Sequence, residues 1–227
     1  MYPYPFGVET MRMYDLIGLM GYPILIIFLI INKNRLYLTE NNPKKWHIWL
    51  LLAVQLVAFT FAGENLAPLV GRGTEFFAFV AVSAVGMALT AVMLGFRPLR
   101  WLDATVPLYL MLAAVLKFSC FCGGCCYGLS WEWGLYNHST HRSEFPIQLV
   151  EAAAYLVLLL LLRRHKGREG ARFALFLAAY AAVRFAVQFI RADVAVFTPF
   201  HWMSAVFFAL GATMWAVCRA LELRTDR

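Results

Sequence analysis

The chain has 227 residues, of which 62% are hydrophobic and only 15% are charged, and its mean hydropathy is +0.66. A soluble domain usually carries about a quarter charged residues, so this composition excludes an ordinary soluble protein and predicts a single membrane domain over residues 1–227. The formal net charge of +7 does not indicate nucleic-acid binding, because the basic residues follow the pattern expected of membrane topology.

Apolar runs that reach about the 18 to 20 residues needed to span a bilayer recur along the chain and predict an all-α, polytopic fold. The seven predicted transmembrane helices are Tyr14–Ile31, Trp46–Gly63, Phe76–Gly95, Leu102–Phe118, Pro146–Leu162, Phe173–Ile190 and Phe200–Cys218. No basic region precedes the first run and no small-residue cleavage site follows it, so no removable signal peptide is predicted.

The connections between these helices alternate in charge. One side carries most of the 20 lysines and arginines, namely Lys33, Arg35, Lys44, Lys45, Arg97, Arg100, Arg163, Arg164, Lys166, Arg168, Arg172, Arg219, Arg224 and Arg227. The positive-inside rule predicts that this side is cytoplasmic. An odd number of spans then places the N-terminus outside and the C-terminus inside, with the loops Glu64–Gly73, Gly128–Phe145 and Ala192–Pro199 outside.

The stretch from Lys117 to Gly128 holds four of the five cysteines at the end of the fourth span. Its glycines predict a sharp turn near the membrane, where non-helical backbone is tolerated only if protein buries it or it lines a watery cavity. Structural zinc sites use cysteine pairs with two to four residues between the two cysteines, and the pairs are well separated from each other. Cys120 and Cys122 have one residue between them and Cys125 and Cys126 have none, so neither a metal nor any other cofactor is predicted. A disulfide between Cys120 or Cys122 and Cys125 or Cys126 stays open, and close packing is favoured.

Polar residues inside the predicted spans need partners, because an ionised group at the bilayer centre costs about 2.5–3.5 kcal/mol. In the sixth span Tyr180, Arg184, Gln188 and Arg191 recur at helical spacing and share one face. Gln148 and Glu151 lie one turn apart in the fifth span, and Glu151 is a natural partner for Arg184 or Lys117. A structural ion pair is the alternative for Glu151. The excess of cations predicts a site for an anionic phospholipid headgroup.

These motifs resemble those of the bacterial prolipoprotein diacylglyceryl transferases. The likeness lies in Tyr14 of the first span, in Lys117-Phe-Ser-Cys120-Phe with the following Gly-Cys-Cys-Tyr-Gly, in Pro146-Ile-Gln148-Leu-Val-Glu151, and in Tyr180, Arg184 and Gln188-Phe-Ile-Arg191. Lys117 stands where the family has an arginine and Cys120 where it has an asparagine. The family's His-Gly-Gly is replaced near Phe76.

The resemblance implies a multi-pass protein of the bacterial inner membrane that transfers a diacylglyceryl group from phosphatidylglycerol, or a related anionic phospholipid, to the lipobox cysteine of a prolipoprotein. It implies catalytic roles for Lys117, Arg184, Tyr180 and Glu151, with Glu151 as a candidate base. It implies substrate binding by Tyr14, Cys120, Gly128, Gln148, Gln188 and Arg191. The alternative hypothesis is a paralogue that binds or moves an anionic lipid and uses its cysteines in a thiol-redox role.

Overall fold

The computed structural model describes residues 75–137, 140–165, 167–192 and 198–225, with scattered single positions between 23 and 65. The elements in the four continuous ranges are α1 (Glu75–Met93), α2 (Pro98–Gly123), β1 (Ser130–Asn137), β2 (Arg142–Glu144), α3 (Ile147–Arg163), α4 (Ala171–Gln188) and α5 (Pro199–Thr225). Nearly all of the first predicted span, including Tyr14, and most of the second lie outside the described residues.

Four of the described helices are long and apolar enough to cross a membrane, at Phe76–Met93, Pro98–Gly123, Ala171–Gln188 and Pro199–Arg224. The protein is therefore a mostly helical membrane protein. Helix α3 has 17 residues, just under the length of about 18 at which an apolar helix becomes a candidate for crossing. The seven spans and their orientation remain predictions.

Helix α2 is longer than the sequence predicted. It continues past Phe118, includes Cys120 and Cys122, and ends only at Gly123. Its last residue is followed by Gly124 in the left-handed region at φ 67°, which glycine adopts without steric cost. The amide of Gly124 donates to the Phe121 carbonyl at 3.2 Å and that of Cys125 to the Cys120 carbonyl at 3.1 Å, the paired bonds of a Schellman ending.

The predicted loop Gly128–Phe145 contains an antiparallel hairpin, which the all-α prediction did not include. Strands β1 and β2 pair from Asn137 opposite Arg142 to Leu135 opposite Glu144, with an irregularity towards Ser130. Glu144 is buried and accepts hydrogen bonds from Asn137 Nδ2 at 2.8 Å and Thr140 Oγ1 at 2.5 Å. Asn137 Nδ2 also donates to the Gly124 carbonyl at 3.1 Å, so the hairpin is fastened to the turn after α2.

An aromatic core joins the helices. The Tyr109 ring of α2 stacks on Phe176 of α4 with centroids 5.4 Å apart, and its hydroxyl lies 2.7 Å from Ser83 Oγ of α1. Phe77 of α1 contacts Tyr180 of α4 and Phe200 of α5. Because buried aromatic side chains contribute large apolar areas and prefer such offset and edge contacts, this core fixes α1, α2, α4 and α5 side by side.

The helices have two distinct ends. At the hairpin end, defined here as the end beside β1 and β2, α2 and α4 finish and α3 begins. At the opposite end, Asp103 of α2 accepts from the amides of Gly170 at 2.8 Å and Phe173 at 2.7 Å. These amides open α4 and have no intrahelical acceptor, so a carboxylate from a neighbouring helix satisfies them.

The opposite end also carries an exposed group of charges, the opposite-end cluster of Arg97, Arg100 and Glu169. Arg97 Nη1 lies 2.8 Å and Arg100 Nε 2.5 Å from the same carboxylate oxygen, Glu169 Oε1. Their side chains remain 66%, 35% and 31% exposed, respectively. Arg97 and Arg100, which the sequence assigned to one side of the membrane, thus share an acidic partner at this end of the described helices.

Candidate functional site

Three charged side chains from three helices meet at the hairpin end and form the buried charge cluster of Lys117, Glu151 and Arg184. Lys117 Nζ of α2 lies 2.7 Å from Glu151 Oε2 of α3, and Arg184 Nη1 of α4 donates to Glu151 Oε1. The side chains of Lys117 and Arg184 are 11% and 4% exposed, and that of Glu151 is fully buried. The sequence predicted that Glu151 pairs with one of these cations, and it pairs with both.

Burial makes this cluster costly to assemble and leaves its positive charges without water. Removing charges from water costs several kcal/mol per ion unless partners and hydrogen bonds compensate. Glu151 supplies the only acidic partner that either cation has among the described residues. Two cations and one carboxylate leave the cluster with one excess positive charge. A buried site of this kind favours an additional anion with oxygens that accept from a guanidinium and an ammonium.

Aromatic side chains contact the carboxylate of Glu151 and the guanidinium of Arg184. The Tyr155 hydroxyl donates to Glu151 Oε1 at 3.2 Å, and the guanidinium carbon of Arg184 lies 4.4 Å from the centroid of the Phe200 ring. Neither Tyr155 nor Phe200 was singled out from the sequence. The signal for Tyr155 was present, since it follows Glu151 at the i,i+4 spacing that places two side chains on one helix face.

The predicted polar stripe of α4 faces inward over its whole length. Tyr180 is buried, and its ring lies 5.2 Å from that of Tyr155. Gln188 is also buried, and its Oε1 has no hydrogen-bond partner within the described residues, as is true of Arg184 Nε. The stripe therefore offers one spare donor and one spare acceptor beside the buried charge cluster.

Arg191 and Gly128 lie together beyond the end of α4. They form an antiparallel bridge in which the Leu129 amide donates to Ile190 at 3.0 Å and the Ala192 amide donates to Tyr127 at 3.1 Å. A Cβ atom on Gly128 would lie 2.6 Å from the Phe145 carbonyl oxygen, so only glycine fits. Arg191 is buried and is held next to the cysteine turn.

The turn after α2 gathers three of the cysteines. The Sγ atoms of Cys120, Cys125 and Cys126 all lie within 4.8 Å of one another, and all are free thiols. Gln148 Nε2 donates to the Cys125 carbonyl at 2.6 Å. The pKa of the Cys126 thiol is lowered by hydrogen bonds from Cys120 and Cys125 and by the positive charges of Lys117 and Arg191.

The predicted substrate-binding residues therefore fall into two adjoining places. Gln188 lies beside the buried charge cluster, whereas Cys120, Gly128, Gln148 and Arg191 surround the turn after α2. Tyr14 lies outside the described residues. The candidate role of Glu151 as a base meets a physical obstacle, because protonating its carboxylate would leave the buried cations Lys117 and Arg184 without their counter-ion.

Comparison with known proteins gives a consistent result. The family model of the prolipoprotein diacylglyceryl transferases matches residues 11–217. Two similar proteins, both named phosphatidylglycerol–prolipoprotein diacylglyceryl transferase, come from strains 195 and BAV1 of Dehalococcoides mccartyi. The first is 26% identical over 141 residues, covering 56% of this chain and 53% of the relative, and the second is 25% identical over 137 residues, covering 54% and 52%. The chain spans about half the length of the curated relatives it matches, and the similarity does not favour the lipid-binding or redox paralogue.

Proposed function

Because the chain belongs to the prolipoprotein diacylglyceryl transferase family, we propose that it transfers a diacylglyceryl group from phosphatidylglycerol to the lipobox cysteine thiol of a prolipoprotein. The observation that carries this proposal is the buried charge cluster, which holds two cations around one carboxylate at the hairpin end. Its excess positive charge suits a phosphate oxygen, and an anionic phospholipid brings no headgroup cation that the cluster would repel.

The reaction changes the charge on that phosphate. The acceptor sulfur forms a bond to the terminal glycerol carbon of the diacylglyceryl group, and the bond from this carbon to the phosphate oxygen breaks. The electron pair goes to that oxygen, so the phosphodiester, with one negative charge, becomes glycerol 1-phosphate, a monoester that carries more. Cations that contact the phosphate stabilise the developing charge more than the ground state, which lowers the barrier.

Lys117 and Arg184 are the residues that supply this stabilisation. Arg184 keeps its Nε free of a partner within the described residues, so its guanidinium has a donor left for a phosphate oxygen while Nη1 stays on Glu151. Glu151 acts as the counter-ion that fixes both cations, and Tyr155 orients Glu151. Tyr180, Gln188 and Arg191 bind the headgroup from α4 and its extension, with Gln148 and Gly128 shaping the turn and Tyr14 contributing from the first span.

We place this reaction at the outer face of the bacterial inner membrane, with the hairpin end outside and the opposite end in the cytoplasm. The support is the concentration of arginines at the opposite end of the described helices, at the starts of α2 and α4 and the ends of α3 and α5. Labelling with a membrane-impermeant thiol reagent in intact cells tests it: Trp133→Cys in β1 should gain label over the parent protein, and Gly167→Cys should not. The reverse pattern contradicts the orientation.

The activity is tested with purified protein in phosphatidylglycerol vesicles and a synthetic lipobox peptide. Mass spectrometry should find a diacylglyceryl adduct on the peptide cysteine and none on a peptide with serine at that place. Vesicles of phosphatidylcholine provide the control for headgroup charge. Folded protein that forms no adduct from phosphatidylglycerol or another anionic phospholipid contradicts the proposed function.

A further inference from the structure

The thiol cluster of Cys120, Cys125 and Cys126 is the part of the hairpin end that phosphate binding leaves unexplained. We propose that these three sulfurs bind one zinc ion and that its open fourth position takes the thiol of the acceptor peptide. The zinc site is inferred from geometry alone, and the role of its fourth position rests on the proposed transferase function.

The geometry of the three sulfurs suits one metal ion. Zinc bound to thiolates at about 2.3 Å in a tetrahedron separates its sulfurs by roughly 3.8 Å. The Sγ atoms lie within 4.8 Å of one another, so small rotations about the Cα–Cβ bonds bring all three to one ion. Three protein ligands with a fourth place open are typical of catalytic rather than structural zinc.

The backbone holds this arrangement before any ion binds. The Schellman ending folds Cys125 back over Cys120, and Cys126 has a positive φ of 57°. A non-glycine residue in that region costs of order 1–3 kcal/mol and persists only where its surroundings impose it. Those surroundings are hydrogen bonds from Gln148 to the Cys125 carbonyl and from Asn137 to the Gly124 carbonyl.

The charges near the three thiols and their exposure are also compatible with a bound zinc ion. Three thiolates and one zinc ion carry a net negative charge, and Lys117 acts electrostatically on all three thiols, as Arg191 does on Cys126. Cys120 is buried, whereas Cys125 and Cys126 are only partly buried. The cluster thus has one covered side and one side from which a fourth ligand can approach.

A zinc ion at this site would account for the deprotonation of the acceptor thiol, which the buried charge cluster does not explain. A thiol attacks carbon as its thiolate, and a proton taken up by Glu151 would remove the counter-ion of two buried cations, Lys117 and Arg184. A thiol that coordinates zinc is deprotonated, its proton passing to water. The zinc-bound sulfur then forms the bond to the glycerol carbon while the carbon–oxygen bond to phosphate breaks and glycerol 1-phosphate leaves. The balance needs neither oxidant nor reductant.

Cobalt(II) replaces zinc as a spectroscopic probe. When cobalt(II) is added to reduced, metal-free protein in detergent, a near-ultraviolet thiolate-to-cobalt charge-transfer band should appear. Subsequent addition of zinc(II) should abolish this band. Cys120→Ala, Cys125→Ala and Cys126→Ala should each weaken zinc binding by more than the roughly 10- to 100-fold that loss of an outer partner costs. The matched controls are Cys122→Ala, two residues from Cys120 but packed with Phe121, and Cys218→Ala, and these should leave the band unchanged. No band in folded wild-type protein, or an equal loss in the control variants, overturns the site.

A measurement on the unmodified protein removes the question of whether the variants fold. Zinc should protect the partly buried Cys125 and Cys126 from alkylation, mapped by peptide mass spectrometry, and leave the reactivity of Cys218 unchanged. Equal alkylation with and without zinc overturns the site.

The fourth position is tested with the lipobox peptide and its serine version in the absence of lipid. The cysteine peptide should shift the cobalt spectrum and the serine peptide should not, and an identical response to both overturns the acceptor role. Adduct formed at the full rate by metal-free protein also overturns the inference while supporting the proposed function. A cysteine-specific shift without any adduct in phosphatidylglycerol supports the inference for thiol binding and contradicts the proposed function.

Discussion

The buried charge cluster and the opposite-end cluster contain the same charges, two cations around one glutamate, in opposite surroundings. In the first, the side chains are at most 11% exposed. In the second they are 31% to 66% exposed. An exposed ion pair contributes about 0–1 kcal/mol because water screens it, whereas one partner of a buried pair costs about 3–5 kcal/mol to remove. Burial, rather than the number of charges, makes one cluster a site and leaves the other a surface feature.

The largest expected effect is on stability, through the shared carboxylate of each cluster. Glu151→Gln leaves two buried cations without a counter-ion and should lower the free energy of unfolding by about 3–5 kcal/mol. Glu169→Gln, the matched change at the opposite end, should cost about 0–1 kcal/mol. Denaturant unfolding of both variants in the same detergent measures the difference. Equal losses would remove burial as the distinction between the clusters.

The next effect is on catalysis. Arg184→Ala should lower the rate of adduct formation by about 10²–10³-fold, or about 2.7–4 kcal/mol in the barrier, because a donor to the departing phosphate is lost. Arg100→Ala and Arg219→Ala remove arginines whose side chains are 35% and 53% exposed and should leave the rate unchanged. Arg184→Lys restores charge without the planar fork and should not rescue the rate. Folded Arg184→Ala protein with near-normal transfer would take this residue out of the site.

Lys117 tests whether an ammonium replaces the arginine that the family has at its place. Lys117→Ala should raise the barrier by about 1.5–3 kcal/mol, the range for a hydrogen bond to a charged group. Lys117→Arg keeps the charge beside Glu151 and should retain transfer. Each variant needs a size-exclusion profile that matches the parent. Full lipid transfer by a folded Lys117→Ala protein would confine the catalytic contribution to Arg184.

Tyr155→Phe sharpens the comparison further, since the opposite-end cluster has no equivalent hydroxyl in the described residues. Losing the hydrogen bond to Glu151 Oε1 should cost about 0.5–1.5 kcal/mol of stability and leave the ring contacts with Tyr180 in place. A double-mutant cycle with Glu151→Gln measures the coupling between the two side chains. A coupling energy of zero would show that Tyr155 only fills space.

The smallest effect is the pH dependence of the opposite-end cluster. Burial raises the pKa of Glu169, but hydrogen bonds from Arg97 and Arg100 and their charges outweigh it and lower the pKa below its ordinary value. The stabilisation is therefore fully present above the unfolded pKa of about 4.3 and is lost as pH falls through the lower folded pKa. Glu169→Gln should remove this acid dependence and its sensitivity to salt, both within about 1 kcal/mol. An unchanged acid profile in Glu169→Gln would assign the dependence to other carboxylates.

Sequence reasoning predicted the partners of the buried charge cluster because helical spacing and the cost of isolated charge leave few arrangements. Glu151 had few cations at the same end of neighbouring apolar runs, and the structure joins it to the two that the sequence favoured, Lys117 and Arg184. Burial of Tyr180 and Gln188 followed from the same four-residue periodicity. These predictions depend on local geometry and on a strong energetic penalty, and both can be deduced from residue order.

The thiol cluster and the hairpin could not be deduced in this way. Spacing along the chain separates Cys120 from Cys125 and Cys126, and their approach depends on the left-handed conformations of Gly124 and Cys126. The hairpin depends on Glu144, whose buried carboxylate is satisfied by side chains of the same loop. In both cases a few backbone angles, rather than a periodic pattern, decide which side chains meet.

The hydrogen bond of Asp103 fixes the position of α2 relative to α4, and therefore the heights of Lys117 and Arg184. It joins the start of α2 to the start of α4 through Gly170, and the same number of residues separates Asp103 from Lys117 as separates Gly170 from Arg184. At 1.5 Å per residue each interval is about 21 Å, so the two cations arrive at the same height on Glu151. A single-residue insertion within either interval would displace one cation by about 1.5 Å and turn it by roughly 100° about its axis. A single-residue insertion or deletion in either interval is therefore expected to separate its cation from Glu151.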